Sequence, residues 1–194
     1  MASGFVTVAD LPFAVHSAAL DVFVGSPSPA FPSSCSTVLK WGFSIRAHRL
    51  MEPHAEWEPH VSAEVLFATD PGSLAQWQDI APRSIQWSSR ANADNDLHAS
   101  MYLYEHAPVL DAEVTLERKG QGVSLRLSGT TDIGWEAPYG RGLRLEVQAT
   151  FDKLTVLAGR DTELDAREAL QPHLDDTQFG FFRDEYGVST LRSR

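Results

Sequence analysis

Residues 110–128 read LDAEVTLERKGQGVSLRLS, and this stretch decides the fold. In its first half, apolar residues occupy the even positions from Leu110 to Leu116, and polar residues occupy the odd positions between them. A period of two is typical of a strand that buries one face. The two glycines of KGQG allow a tight reversal, and the alternation resumes at Val123. The stretch therefore predicts a β-hairpin.

A third strand follows the loop at residues 132–142. Apolar residues take the odd positions from Leu143 to Phe151, with polar residues between them. The apolar parity then changes to even positions at Leu154, and a β-bulge near residues 152–153 is the simplest explanation. Three successive antiparallel strands expose an apolar face, which the rest of the chain is expected to cover.

Patterns of the same kind predict further strands on both sides of this centre. They fall at residues 4–9, 18–24, 37–49, 61–67, 85–87, 101–107 and 178–183, the last as a strand or as a cover for a sheet edge. The segments 37–49 and 61–67 are expected to form a hairpin with a long connection.

One helix is predicted at about residues 161–171. Thr162 precedes Asp165 by three residues, as in a capping box, and Pro172 discourages continuation. Its apolar stripe comprises Leu164, Ala166, Ala169 and Leu170. The predicted fold class is therefore mainly β (β-rich α+β), a single antiparallel β-sandwich or open barrel with one C-terminal helix.

The length of 194 residues predicts a single domain spanning residues 1–194, long enough to bury a core without disulfides or a structural metal. Residues 26–36 are rich in proline and serine, which predicts a surface loop. Residues 189–194 are predicted to be a frayed tail.

The net charge of −10 argues against nucleic acid as a partner, because binding phosphates requires concentrated Lys and Arg. Another protein, with a basic surface, is the natural complement, although acidic surfaces also serve solubility.

The single cysteine, Cys35, fits a reducing compartment, and the N-terminus lacks a basic signal-peptide region, so we expect a cytoplasmic protein. No apolar run is long enough for a membrane span. We expect no cofactor, and the oligomeric state stays open.

A histidine and glutamate cluster is the first candidate for chemistry. His54, Glu56, Glu58 and His60 share even positions, so in an extended segment they project from one face and could bind a divalent metal. Their spacing matches no established motif. The alternative is that even positions form the solvent face of this hairpin, where polar residues belong.

The glycine-punctuated loop at 132–142 is the first candidate for recognition. It carries Trp135, Glu136, Tyr139 and Arg141, and Trp, Tyr and Arg are enriched at binding hot spots. The alternative is that Trp135 folds back and caps the end of the core.

A second candidate for recognition lies near the C-terminus. Asp175, Asp176 and Asp184 surround the aromatic segment that contains Phe179 and Phe182. These acids predict a contact surface for a basic partner, and the alternative is the solvated outer face of a last strand.

Three functions follow from these features. The first is a non-catalytic, acidic protein-binding module, and bacterial immunity and inhibitor proteins, which mask a toxin, have this general size and charge. An acidic inhibitor associates rapidly with a basic partner in a salt-sensitive manner. The alternatives are a small-ligand-binding β-barrel and a metal-assisted hydrolase that uses the His54 to His60 cluster. No catalytic residue is assigned, and enzymatic activity stays undecided.

Overall fold

The computed structural model describes ten segments of the chain: residues 3–25, 37–49, 59–63, 68–69, 74–88, 99–103, 105–133, 142–157, 162–184 and 188–194. Their strands are β1 (Gly4–Val8), β2 (Leu11–Gly25), β3 (Val38–Arg49), β4 (His60–Ala63), β5 (Ala68–Thr69), β6 (Arg83–Trp87), β7 (Ser100–Leu103), β8 (Glu105–Lys119), β9 (Gly122–Thr131), β10 (Leu143–Phe151), β11 (Leu154–Leu157), β12 (Phe179–Arg183) and β13 (Ser189–Ser193). The described helical elements are α1 (Glu163–Leu170) and two 3₁₀ turns, Trp77–Ile80 and Asp176–Gln178.

Eight of these strands close into a barrel in the order β2-β1-β10-β9-β8-β7-β4-β3, and β3 pairs again with β2. Every neighbouring pair around the ring is antiparallel. The prediction of a mainly β, antiparallel fold with one helix is confirmed. The barrel is closed, and β2 bends into it at a register shift between Val15 and Ser17.

The central hairpin forms as the alternation predicts. Lys119 pairs with Gly122, and Gly120 takes a positive φ of 60° in the two-residue turn between β8 and β9. Leu127 of β9 lies opposite Val147 of β10, so the three strands present one apolar face to the interior.

A β-bulge lies in β8 and not at the position that the sequence suggested. The register with β9 shifts between Leu110 and Glu113, where Asp111 has a φ of 45°. Leu110 is therefore only half-buried, whereas Ala112 is buried. The parity change at residues 152–153 instead marks a change of neighbour, because the chain leaves β10 there and enters β11, which runs parallel to β2.

The remaining strands extend the barrel wall. Strand β6 pairs with β8 beside β7, and β5 pairs with β3. Strands β11, β13 and β12 follow one another outward from β2. Together with α1 and the second 3₁₀ turn, these three strands form what we call the C-terminal extension (residues 154–157, 162–184 and 188–194).

The prediction of a frayed tail at residues 189–194 was wrong. Ser189–Ser193 forms β13, which pairs with β12 on one side and with β11 on the other. Leu191 is fully buried, and the buried Ser193 hydroxyl accepts a hydrogen bond from the N–H of Leu154 at 2.9 Å. The pairing partners on both sides order this segment. The surface loop predicted at 26–36 lies outside the described residues.

The core fills the inner face of the barrel. Its largest fully buried side chains include Trp41, Phe13, Phe151, Ile45 and Met101. The buried indole of Trp87 donates from Nε1 to the carbonyl oxygen of Val109 at 2.8 Å and so attaches β6 to β8.

Helix α1 covers one side of the extension with Ala166 and Leu170, and Thr162 caps it by accepting from the N–H of Asp165 at 3.2 Å. It lies within the range predicted for the helix, about 161–171, and is shorter at both ends. No helix in the described segments has the length and apolarity needed to cross a membrane.

Candidate functional site

The predicted recognition loop falls mostly outside the described residues. Trp135, Glu136, Tyr139 and Arg141 lie between Ile133 and Gly142, where the description of the chain resumes. The Asp132 carboxylate accepts a hydrogen bond from the N–H of Gly142 at 2.7 Å, and Thr131 pairs with Leu143. The two ends of the loop are therefore held together at one end of the barrel.

Three of the four predicted metal ligands, His54, Glu56 and Glu58, also lie outside the described residues. His60 is described and projects from the outer face of β4, where its Nε2 atom lies 2.7 Å from the Oγ atom of Ser44. Arg46 is the residue directly opposite His60 on β3. The described side chains include no group of three or more His, Cys, Asp or Glu arranged for a metal ion. The metal site stays a prediction.

Burial lowers the pKa of His60, and the positive charges of Arg46 and His106 lower it further. His60 is therefore mostly neutral at neutral pH. A guanidinium next to this imidazole repels a divalent cation and attracts an anion.

Asp175 lies at the start of the second 3₁₀ turn, fully exposed. Its Oδ1 atom accepts from the hydroxyl of Thr177 at 2.6 Å and from the N–H of Thr177 at 3.0 Å. These hydrogen bonds hold the pKa of the Asp175 carboxyl below its usual value. Asp175 is therefore an ionised cap, and a partner that approaches it meets a fixed negative charge.

Asp176 forms an intramolecular ion pair with Arg167, whose Nη1 atom lies 3.3 Å from Oδ2 of Asp176. The same guanidinium donates to the carbonyl oxygens of Asp176 at 2.8 Å and Phe179 at 3.2 Å. Hydrogen bonds to Glu163 and, less strongly, to Asp176 raise the pKa of Arg167. Arg167 therefore joins α1 to the second 3₁₀ turn and to β12, and the charge of Asp176 is paired within the chain.

Asp184 follows β12 and accepts a hydrogen bond from the N–H of Val188 at 2.8 Å. The three predicted acidic contact residues thus lie in the same extension, and each contributes to its local structure. The acids on the outer side of α1, Asp165 and Glu168, are exposed as well. The sequence interpretation did not assign them to a contact surface.

The extension also has three exposed apolar side chains, and the sequence interpretation did not predict their exposure. Leu164 is 66% exposed, Val188 51% and Phe182 48%, which makes them the most exposed large hydrophobic residues in the described segments. Leu164 was predicted to belong to the apolar stripe of α1. It lies two residues before the buried Ala166, or about 200° around the helix, and therefore points outward.

Two depressions of about 710 and 530 Å³ lie on the outside of the barrel. The first is bordered by Gln86, Asp111 and Thr130, and the second by Arg126 and Gln148. Both differ from the internal cavity that a small-ligand carrier would use, so the carrier function stays a prediction.

No protein-family model matches the chain, and the searches of curated proteins and of solved structures found no significant match either.

Proposed function

We propose that the protein is a non-catalytic binding module that recognises another protein through the C-terminal extension, and that the partner carries a basic surface. The observation that carries the proposal is the exposure of Leu164, Phe182 and Val188 within a strongly acidic segment. Residues 162–188 contain seven acidic residues and two arginines, a net charge of −5 out of −10 for the whole chain.

Each part of this surface has a physical role in the proposed complex. Exposed apolar side chains gain free energy when a partner covers them, and they serve as anchors. Acidic residues of the same segment, such as Asp165, Glu168 and Asp175, accelerate encounter with a cationic surface and suppress association with acidic proteins. Bacterial immunity and inhibitor proteins, which mask a toxin, illustrate this type of function.

The loop at residues 134–141 is proposed as a second contact for the same partner. Support comes from its content of Trp135, Tyr139 and Arg141 and from the Asp132 to Gly142 hydrogen bond that closes its base. The proposal also includes a cytoplasmic location, for which the single cysteine is the support.

The experiment starts with capture of the partner from the source organism, followed by purification of both proteins and measurement of their association. The variant D165N/E168Q removes two exposed charges from the extension. The control D152N/E117Q removes the same two charge types from exposed positions on the barrel. We expect the first variant to lower the association rate by about two- to tenfold at low salt and the control to leave it unchanged.

Substitution of an apolar anchor tests the other half of the interface. We expect L164S to raise the dissociation rate by about tenfold with little effect on the association rate. An acidic partner, an association rate that does not depend on salt, or equal effects of the two charge variants would overturn the proposal. Loss of binding in W135A but not in L164S would place the contact on the loop alone.

A further inference from the structure

The outward-facing residues of four adjacent barrel strands form a polar grid. We call it the histidine–serine face and define it as Ser44, Arg46, His60, Ser62, Ser100, Tyr102 and His106. In one row, His60 of β4 lies opposite both Arg46 of β3 and Tyr102 of β7, and Tyr102 lies opposite His106 of β8. The serines form the adjacent row, with Ser62 opposite both Ser44 and Ser100.

Contacts within the grid hold its side chains in place. The Nε2 atom of His60 lies 2.7 Å from Oγ of Ser44, and the hydroxyls of Ser62 and Ser100 lie 3.2 Å apart. The ring of Tyr102 contacts that of His106 with centroids 5.0 Å apart. Tyr102 is nevertheless 43% exposed, so an aromatic surface with a hydroxyl group remains accessible beside the polar rows.

The row of cationic and imidazole groups continues onto β2. His48 lies two residues beyond Arg46 on the same face of β3, and its ring centroid is 5.4 Å from that of His16. The face and this continuation together hold four of the seven histidines of the chain.

The charge of this face is the reverse of that of the protein. The chain contains 26 acidic residues and has a net charge of −10. None of the seven residues of the face is acidic, and Arg46 at one end of its row carries a permanent positive charge. Guanidinium, imidazole, phenol and serine hydroxyl groups all supply hydrogen-bond donors.

From this arrangement we infer that the histidine–serine face is a binding site for a ligand that carries a phosphate or sulfate group. Side chains that lie directly opposite on neighbouring strands have Cβ atoms about 5 Å apart. Arg46 and Tyr102 each lie at about this distance from His60, on either side of it, so their long side chains can bring donors from β3 and β7 to an oxyanion bound at His60. The planar fork of Arg46 suits bidentate contact with two of its oxygens. The exposed ring of Tyr102 provides an aromatic surface for the remainder of the ligand, and the ring of His106 packs against it at an angle of 60°.

The inference is independent of the proposed protein-binding function. The acids of the C-terminal extension belong to other elements than β3, β4, β7 and β8, so the variant D165N/E168Q is expected to bind the anion as the wild type does. Loss of partner binding with intact anion binding, or the converse, separates the two proposals.

The test uses the full chain at about neutral pH, with tripolyphosphate and inorganic sulfate as separate probes. Binding is followed by calorimetry and by the backbone amide shifts in an NMR titration. We expect saturable shifts concentrated on β3, β4 and β7. The variant R46Q is expected to weaken affinity about tenfold, because it removes a charge-assisted hydrogen bond, and Y102F about threefold.

The matched control is R126Q, which removes an exposed arginine from the outer face of β9, where Glu113 and Glu146 border the same depression. Its affinity is expected to stay within about twofold of the wild type. Absence of saturable binding by either probe, shifts centred elsewhere, or equal effects of R46Q and R126Q would overturn the inference. If R46Q does not fold, the inference is decided by the location of the amide shifts in the wild type and by the affinity of Y102F for the probes.

Discussion

The Nε2 atom of His60 lies 2.7 Å from the Oγ atom of Ser44 on the adjacent strand. Burial and the positive charges of Arg46 and His106 lower the pKa of His60 below its ordinary 6.5. The folded protein therefore binds this proton less strongly than the unfolded chain. Above pH 6.5 His60 is mostly neutral in both states and the protein keeps its full stability with respect to this group. As the pH drops through 6.5 towards the folded-state pKa, the unfolded chain takes up the proton first, and the free energy of unfolding falls.

We therefore expect H60Q to reduce the loss of stability that the wild type shows between about pH 7.5 and about pH 5. Glutamine retains a hydrogen-bonding group but does not titrate in this range. Urea unfolding at several pH values measures the effect. The control H16Q changes an exposed histidine. A wild-type pH dependence in H60Q, or the same reduction in H16Q, would contradict the assignment.

Asp21 of β2 affects the pH dependence of stability in the opposite direction. Burial raises the pKa of its carboxyl, and the nearby positive charge of Arg192 opposes the increase only in part. The ionised form is thus less favourable in the folded protein than in the unfolded chain. This destabilising contribution is present at neutral pH and disappears as the pH falls below the ordinary value of 3.8.

The variant D21N, which mimics the protonated form, is therefore expected to unfold at a higher urea concentration than the wild type at pH 7. Its advantage is expected to vanish at about pH 3, where Asp21 is protonated in both states. Asp152 is exposed in the turn before β11, so D152N serves as the control and is expected to change stability little at either pH. If D21N were less stable than the wild type at neutral pH, the conclusion that the ionised Asp21 destabilises the fold would be wrong.

The strands with one solvent-facing side were the predictable part of the fold. Residues 143–151 alternate strictly because one face of β10 is buried and the other is wet. Strand β13 escaped prediction, since Leu191 is the single apolar residue among Ser189–Ser193. Its order comes from β11 and β12 on either side, and no local pattern records that. Closure of the barrel was equally hidden, because it comes from the pairing of β2 with β3, which no local pattern records.

The candidate surfaces show the same division. The polarity of Ser44, Arg46 and His60 correctly indicated a solvent-facing side. Their meeting with Ser100 and Tyr102 depends on the pairing of β4 with β7. The paired residues His60 and Tyr102 are 42 residues apart in the chain, so this pairing leaves no local signal. The exposure of Leu164 could have been found, because helical geometry places it opposite Ala166.

The turn between β8 and β9 offers a paired test of backbone geometry. A Cβ added to Gly120 meets no atom within 4 Å, but the residue has a φ of 60°. A Cβ added to Gly122 would lie 2.3 Å from the carbonyl oxygen of Phe151 on β10. We expect G120A to cost about 1 kcal/mol, with recovery in G120N because asparagine tolerates this conformation.

For G122A we expect a larger loss, about 2–4 kcal/mol, because two backbone segments must separate. G122N should rescue nothing, since the difficulty there is space and not φ. Thermal or urea unfolding of the four variants measures the order. Equal costs at the two positions, or rescue of position 122 by asparagine, would show that the hairpin is not packed against the end of β10 in this way.

The last strand can be tested through Ser193, whose buried hydroxyl accepts the N–H of Leu154 at 2.9 Å and so joins β13 to the start of β11. In S193A that N–H loses its partner in a buried position, and we expect a loss of about 1–3 kcal/mol in the free energy of unfolding. The control S128A removes an exposed hydroxyl from β9 and is expected to change stability by less than about 0.5 kcal/mol.

A chain that ends at residue 188 lacks β13 altogether, and we expect it to lose hydrogen-exchange protection in β11 and β12. Unchanged protection in that chain, together with a neutral S193A, would restore the interpretation of residues 189–194 as a tail.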